Sequence, residues 1–197
     1  MLDAGQAGGT ALDVLDIGLA STDLLYFASG SRHQPGVMFT ASHNPAEYNG
    51  IKLCCRGAAP IGQDSGLDEI KERAQQAPPA STRTGRRSEA DLLEAFASHV
   101  RGFIDTAGLR PLKVVADTAN GMGGLVVPAV FAALPFELEV LYPELDGTFP
   151  NHEANPIQVE NLVDLQARVL ATGADIGLAF DGDADRVFLV DEQARPV

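Results

Sequence analysis

The sequence predicts an α/β fold, with mixed, mostly parallel sheets and helices on both faces, and three observations predict it. From residue 112 onward, short β-rich apolar runs alternate with stretches of helical periodicity, the pattern of βαβ units. Twenty glycines and 12 prolines punctuate the chain, and tryptophan is absent, as suits many tight turns. Of 197 residues, 45% are hydrophobic and 21% charged, which is ordinary globular usage. A chain of this size can bury one large core or two small ones.

The elements follow in order. Leu12–Gly18 (LDVLDIG) reads as a short strand, and Ser21 as the cap of a helix running through Asp23–Ala28. Val37–Ala41 (VMFTA) is a β-rich run, followed by a polar loop, Ser42–Gly50, and a second strand, Ile51–Cys55. Asp64 or Ser65 starts a helix with Leu67, Ile70 and Ala74 on its apolar side. Ala77–Arg87 (APPASTRTGRR) has no periodicity and reads as a linker between domains at 1–84 and 85–197. Ser88, with Asp91 three residues on, is expected to cap the clearest helix. Leu92, Leu93, Phe96, Val100, Phe103 and Ile104 recur along it, and Gly108 is placed to end it. Then come strand Leu112–Asp117, helix Gly123–Leu134 despite Pro128, and strand Phe136–Tyr142. Helix Glu160–Thr172, closed by Gly173, and strands Asp175–Phe180 and Arg186–Asp191 complete the series.

The net charge of −13 argues against a nucleic-acid partner, which wants a positive surface, but leaves room for a small phosphorylated ligand in a locally basic pocket. No apolar run approaches the roughly 20 residues that span a bilayer. Met1–Thr10 lacks the basic start and apolar stretch of a secretory signal. A soluble cytoplasmic protein is expected, with no membrane partner. The adjacent Cys54 and Cys55 fit reduced packing residues better than a disulfide or a zinc site.

Two loops carry candidate chemistry. Thr40-Ala41-Ser42-His43-Asn44-Pro45 leaves a buried strand at the end where α/β folds place ligands, and Pro45 restricts Asn44 to extended conformations. Lys52 and His43 are the nearby groups that can handle a proton. Taken alone, the loop reads as an ordinary turn, with Ser42 in an ST-turn and His43 solvated. No Gly-x-Ser-x-Gly elbow surrounds Ser42, so a hydrolase triad explains it poorly.

The second loop, Asp181-Gly182-Asp183-Ala184-Asp185-Arg186, lies between two apolar strands. Three carboxylates at alternate positions repel one another and suit a hard divalent cation, Mg²⁺ or Ca²⁺. An EF-hand fails here: its sixth position should be glycine and is Arg186, and the flanks are strands rather than helices. A haloacid-dehalogenase-type phosphatase also starts Asp-x-Asp after a strand, but wants Thr or Val where this chain has Asp185. The glycines Gly121, Gly123 and Gly124 lack the third glycine of a dinucleotide fingerprint and read as a tight structural turn.

The run Gly36–Pro45, continued by Tyr48-Asn49-Gly50-Ile51-Lys52, resembles the active-site loop of the α-D-phosphohexomutases, and Asp181–Arg186 resembles their metal loop. Both occur in the family's order, about 140 residues apart with βαβ units between. The Thr-Ala-Ser form and the run Asp146-Gly147-Thr148-Phe149-Pro150-Asn151-His152 are more similar to the phosphomannomutase/phosphoglucomutase branch than to the phosphoglucosamine branch. Val159 stands where the family has proline.

The resemblance implies a mutase that interconverts hexose 6-phosphate and hexose 1-phosphate, of mannose or glucose, through a phosphoserine and a hexose 1,6-bisphosphate. It implies that Ser42 carries the phosphoryl group and joins Asp181, Asp183 and Asp185 as Mg²⁺ ligands. Arg186 is then expected to orient the moving group, and Lys52, or failing it His43, to act as general acid/base, for which a lysine needs a lowered pKa. It implies two domains of an original four: the remainder of the first (about 1–84) and the second (about 85–197), with domains III and IV missing. Without their sugar and phosphate sites, this piece alone is expected to show no mutase turnover. Two other readings remain open: a non-catalytic module that binds metal, phosphosugar or a partner chain, and a Mg²⁺-dependent phosphatase with Asp181 as nucleophile.

Overall fold

The computed structural model describes residues 12–45, 47–76 and 84–197. The larger unit is a four-stranded sheet with strands β5 (Leu112–Asp117), β6 (Phe136–Leu141), β7 (Ile176–Phe180) and β8 (Val187–Asp191), in the order β6-β5-β7-β8. The first three strands run parallel and β8 is antiparallel to β7. Helix α4 (Gly123–Phe131) links β5 to β6, and α5 (Val163–Thr172) precedes β7. Parallel neighbours need such crossovers.

Alternation along β5 puts helices on both faces. Ala116 packs toward Leu24 and Ala28 of helix α1 (Thr22–Arg32), Phe96 of helix α3 (Leu93–Arg101), and Val126 and Val127 of α4. Val115, its neighbour, faces the opposite way, into Leu165 and Val169 of α5 with Val190 of β8. Leu165, Val169 and Val190 are fully buried, so truncating Leu165 to alanine should cost about 2–5 kcal/mol. The first core joins the amino-terminal elements to the sheet, which bears directly on how the two loops meet.

Ser21 caps α1 as expected, its hydroxyl accepting from the Leu24 N–H at 3.1 Å. Strands β2 (Gly36–Phe39) and β3 (Ile51–Cys54) form an antiparallel hairpin around the polar loop. Its Val37, Phe39 and Ile51 side chains are exposed. A short 3₁₀ turn, Gln63–Ser65, leads into α2 (Leu67–Ala74). Most of the expected linker, 77–83, lies outside the described residues.

Two expectations fail near this junction. Ser88 does not cap a helix. It sits in strand β4 (Arg87–Glu89), which pairs in parallel with β1 (Val14–Asp16), and the ladder claims the backbone that a cap would need. Helix α3 starts only at Leu93, whose N–H is met by Asp91 Oδ1 at 3.0 Å. The helix also stops at Arg101, leaving Phe103 and Ile104 exposed beyond it. Gly108 ends a separate 3₁₀ turn, Thr106–Gly108.

Candidate active site

The sheet places Asp181 directly after β7, and the chain turns through Asp185 before β8 begins. Ala184, in left-handed backbone (φ 55°), makes that turn, and Asp181 Oδ1 ties it by accepting the N–H groups of Asp185 and Arg186, each at 3.1 Å. One carboxylate oxygen from each of Asp181, Asp183 and Asp185 lies within 4.8 Å of the others. Asp181 and Asp183 are buried and Asp185 is exposed.

The serine loop comes from the other half of the chain and ends beside these acids. Ser42 Oγ donates to Asp181 Oδ2 at 2.9 Å across 139 residues of sequence. Its backbone is left-handed (φ 54°), a costly conformation for a residue with a side chain and one that clusters at functional sites. The close approach depends on missing side chains: a Cβ on Gly182 would overlap the Ser42 carbonyl oxygen, and one on Gly121 would lie 2.6 Å from the Gly182 carbonyl. The Met122 N–H donates to that carbonyl at 2.9 Å. The expected glycine turn at 121–124 is therefore a buttress for the aspartate loop.

Cations line the same space. Arg186 Nη2 donates to Asp181 Oδ2 at 2.6 Å and to Ser42 Oγ at 2.9 Å, and it contacts His43 Nδ1. His43 Nδ1 is 3.4 Å from Ser42 Oγ. Lys52 Nζ donates to Asp183 Oδ2 at 2.8 Å and to Asp185 Oδ2 at 2.5 Å. Partial burial pushes the lysine pKa down, but its bonds to Asp183 and Asp185 outweigh this and hold it above the usual value. The lowered value expected of a proton-transferring lysine is thus not what these neighbours give.

Asp183 and Asp181 respond oppositely to one environment. Burial raises both, yet bonds from Lys52 and Thr22 bring Asp183 below the ordinary value. For Asp181, burial and the nearby Asp183 charge win over bonds from Ser42 and Arg186, and its pKa is raised. Three acids against Lys52 and Arg186 leave a net negative charge in a half-buried cleft, and Asp23, close enough to feel all three, adds to it. Among the described residues, Asp183 Oδ1 is a buried oxygen with no hydrogen-bond partner. An orphaned carboxylate oxygen beside two further carboxylates is the environment a hard divalent cation satisfies.

Sequence reasoning missed two groups. Thr22 Oγ1 and Thr40 Oγ1 both donate to Asp183 Oδ2, at 2.8 and 3.0 Å. Behind the aspartate loop, His152 Nε2 pairs with both oxygens of the fully buried Asp117, at 3.2 and 3.1 Å. An aspartate ending an apolar strand, as Asp117 does, was the available signal for the second.

Comparison with known proteins agrees with this geometry. Residues 7–80 match the family model described as phosphoglucomutase/phosphomannomutase, alpha/beta/alpha domain I, and residues 93–194 match domain II of the same family. Similar relatives include a phosphomannomutase of Escherichia coli, 42% identical over 93% of this chain and 43% of its own length. A phosphomannomutase/phosphoglucomutase of Pseudomonas aeruginosa is 40% identical over 90% of this chain and 37% of its own. A crystal structure of a phosphoglucomutase/phosphomannomutase family protein from Burkholderia thailandensis superposes with a TM-score of 0.79 at 36% identity, covering 95% of this chain and 42% of that one. The chain spans about two fifths of the length of the curated relatives it matches. The paired family-model matches and the shared fold establish that this chain belongs to the phosphoglucomutase/phosphomannomutase family.

Proposed function

We propose that this chain supplies the phosphoserine and the metal centre of a phosphohexose mutase that interconverts mannose or glucose 6-phosphate and 1-phosphate. The single observation that carries the reading is the meeting of Ser42 Oγ with Asp181 at 2.9 Å, next to a buried Asp183 oxygen that lacks a partner. We assign residues 1–84 to the first domain and 85–197 to the second. Turnover and sugar choice belong to the longer protein, because the relatives extend well beyond this chain. A cytoplasmic location is part of the proposal. Among the described residues no helix is long and apolar enough to cross a membrane.

In this reading Ser42 carries a phosphoryl group in the resting state. The group passes to a hydroxyl of a hexose monophosphate, giving the 1,6-bisphosphate and a free Ser42 hydroxyl. The bisphosphate turns over and its other phosphate returns to Ser42, so each phosphate–oxygen bond broken is matched by one formed. Asp181, Asp183, Asp185 and Ser42 would hold Mg²⁺, which when bound neutralises charge on the phosphoryl group in transit. Arg186 spans Asp181 and Ser42, and its planar fork can grip phosphoryl oxygens bidentately. We assign the hydroxyl protons to Lys52 or, because Asp183 and Asp185 hold the lysine pKa high, to His43 in its place.

Intact-mass analysis and peptide mapping of the full-length protein, before and after incubation with glucose 1,6-bisphosphate, test the proposal. Phosphate on Ser42 that exchanges with sugar is the expected result. Phosphate trapped on Asp181 with none on Ser42 would instead select a phosphatase, and metal binding without any covalent phosphate would select a non-catalytic module.

A further inference from the structure

The carboxylate of Asp183 is used in a lopsided way. Its Oδ2 accepts three donors: Thr22 Oγ1 at 2.8 Å, Thr40 Oγ1 at 3.0 Å and Lys52 Nζ at 2.8 Å. Its Oδ1, buried in the same site, accepts none. A carboxylate oxygen has about two lone-pair sites, so Oδ2 is saturated and only Oδ1 remains to ligate. Both threonines are fixed from behind. Thr22 sits in the first turn of α1, where its own N–H donates to the Asp183 carbonyl at 3.0 Å. Thr40 Oγ1 accepts the Ser42 N–H at 2.8 Å, so one hydroxyl ties the serine loop to the metal acid.

We infer that Thr22 and Thr40 are positioning residues that make Asp183 a one-oxygen ligand and so bias the cluster toward Mg²⁺ over Ca²⁺. Ca²⁺ takes six to eight oxygens at long distances and commonly grips a carboxylate through both. Mg²⁺ needs a compact octahedron and takes one oxygen from each. Asp181 differs: two backbone N–H groups hold its Oδ1, while its Oδ2 is met only by the side chains of Ser42 and Arg186, so Oδ2 is the oxygen that can be released to an ion. Hydrogen bonds of this kind to a ligating carboxylate are worth about 10- to 100-fold in metal affinity.

The inference rests on the metal reading proposed above, and the test separates the two. Calorimetric titration of the full-length protein with MgCl₂ and, separately, CaCl₂ is run on the wild type, Thr22→Val, Thr40→Val and Thr22→Ser. Each valine variant is expected to weaken Mg²⁺ binding about 10- to 100-fold and Ca²⁺ binding less, narrowing the preference between the ions. Thr22→Ser, which keeps the hydroxyl, should restore both affinity and preference. Thermal melts in EDTA identify any variant that has lost its fold, and Thr40→Val and Thr22→Ser still decide the matter if Thr22→Val does not fold. Valine variants that bind Mg²⁺ as the wild type does, or that weaken both ions equally, overturn the inference while the metal centre stands. A wild type that binds no Mg²⁺ overturns the metal centre itself, and this inference with it.

Discussion

Gly182 lies so close to the backbone of Ser42 that a Cβ on it would overlap the serine's carbonyl oxygen. On its other side Gly121 is packed against its own carbonyl, so the aspartate loop has nowhere to retreat. Gly182→Ala must therefore push the hydroxyl away from the acids, with the hydrophobic cores untouched. Misplacement by about 1 Å costs on the order of 10²-fold in rate. We expect phosphorylation of Ser42 by glucose 1,6-bisphosphate, followed by intact mass, to slow by that much, with the thermal midpoint lowered by the forced backbone shift but the protein still folded.

Ser42→Ala removes the only atom proposed to accept phosphate. No covalent phosphate should then appear, while Mg²⁺ binding should persist through Asp181, Asp183 and Asp185. Calorimetry and mass analysis on one sample read both. Phosphate persisting elsewhere on the variant would move the nucleophile away from this loop.

How far these sites were legible in the sequence depends on what each residue must do by itself. Ser42, Asp181, Asp183 and Asp185 stood out because alternating acids and a strand-end serine are unusual locally, and their spacing matches a known pair of loops. Strands such as Leu112–Asp117 stood out because burial on both faces leaves successive apolar residues, here Val114, Val115 and Ala116. Thr22 and Thr40 did not. One is an ordinary first-turn residue and the other an ordinary strand-end residue, and only the folded chain brings them to Asp183. Ser88 misled for a related reason: its neighbours carry a good capping pattern, but pairing with Leu15, 73 positions earlier, outweighs local propensity. Lys52 was found, yet the direction of its pKa was not, because that depends on acids 131 and 133 residues away.

Arg186 bridges Asp181 and Ser42 with one terminal nitrogen while its Nε reaches Asp181 at 3.0 Å. A lysine can replace the charge but not the fork. Losing one oriented donor to a transferring group costs about 10²- to 10³-fold. Arg186→Lys should therefore slow exchange of phosphate between Ser42 and sugar by roughly that factor. Single-turnover mass analysis would measure it, and a lysine variant as fast as wild type would reduce Arg186 to charge balance.

The His152–Asp117 pair gives the fold a pH dependence that can be worked out in sign. His152 is half-buried, and its hydrogen bond to Asp117 outweighs burial, with the Asp164 charge adding to it, so its pKa is raised above the ordinary 6.5. The Tyr142 ring packs edge-on against the imidazole, and the Glu153 carbonyl meets its other nitrogen at 2.9 Å. Below 6.5 the folded and unfolded chains both carry imidazolium, and the contribution of the pair is fully present. Above it the unfolded chain gives up its proton first, and the contribution fades until pH has passed through the raised folded value. His152→Gln offers the buried Asp117 carboxylate a neutral donor in place of a charged one, at a cost of about 1–3 kcal/mol near pH 6 that should shrink as pH rises. Denaturant melts of both proteins from about pH 6 to pH 9 would show the two stabilities converging. If the gap stayed constant across that range, the histidine would be neutral throughout and would act only as a packed ring.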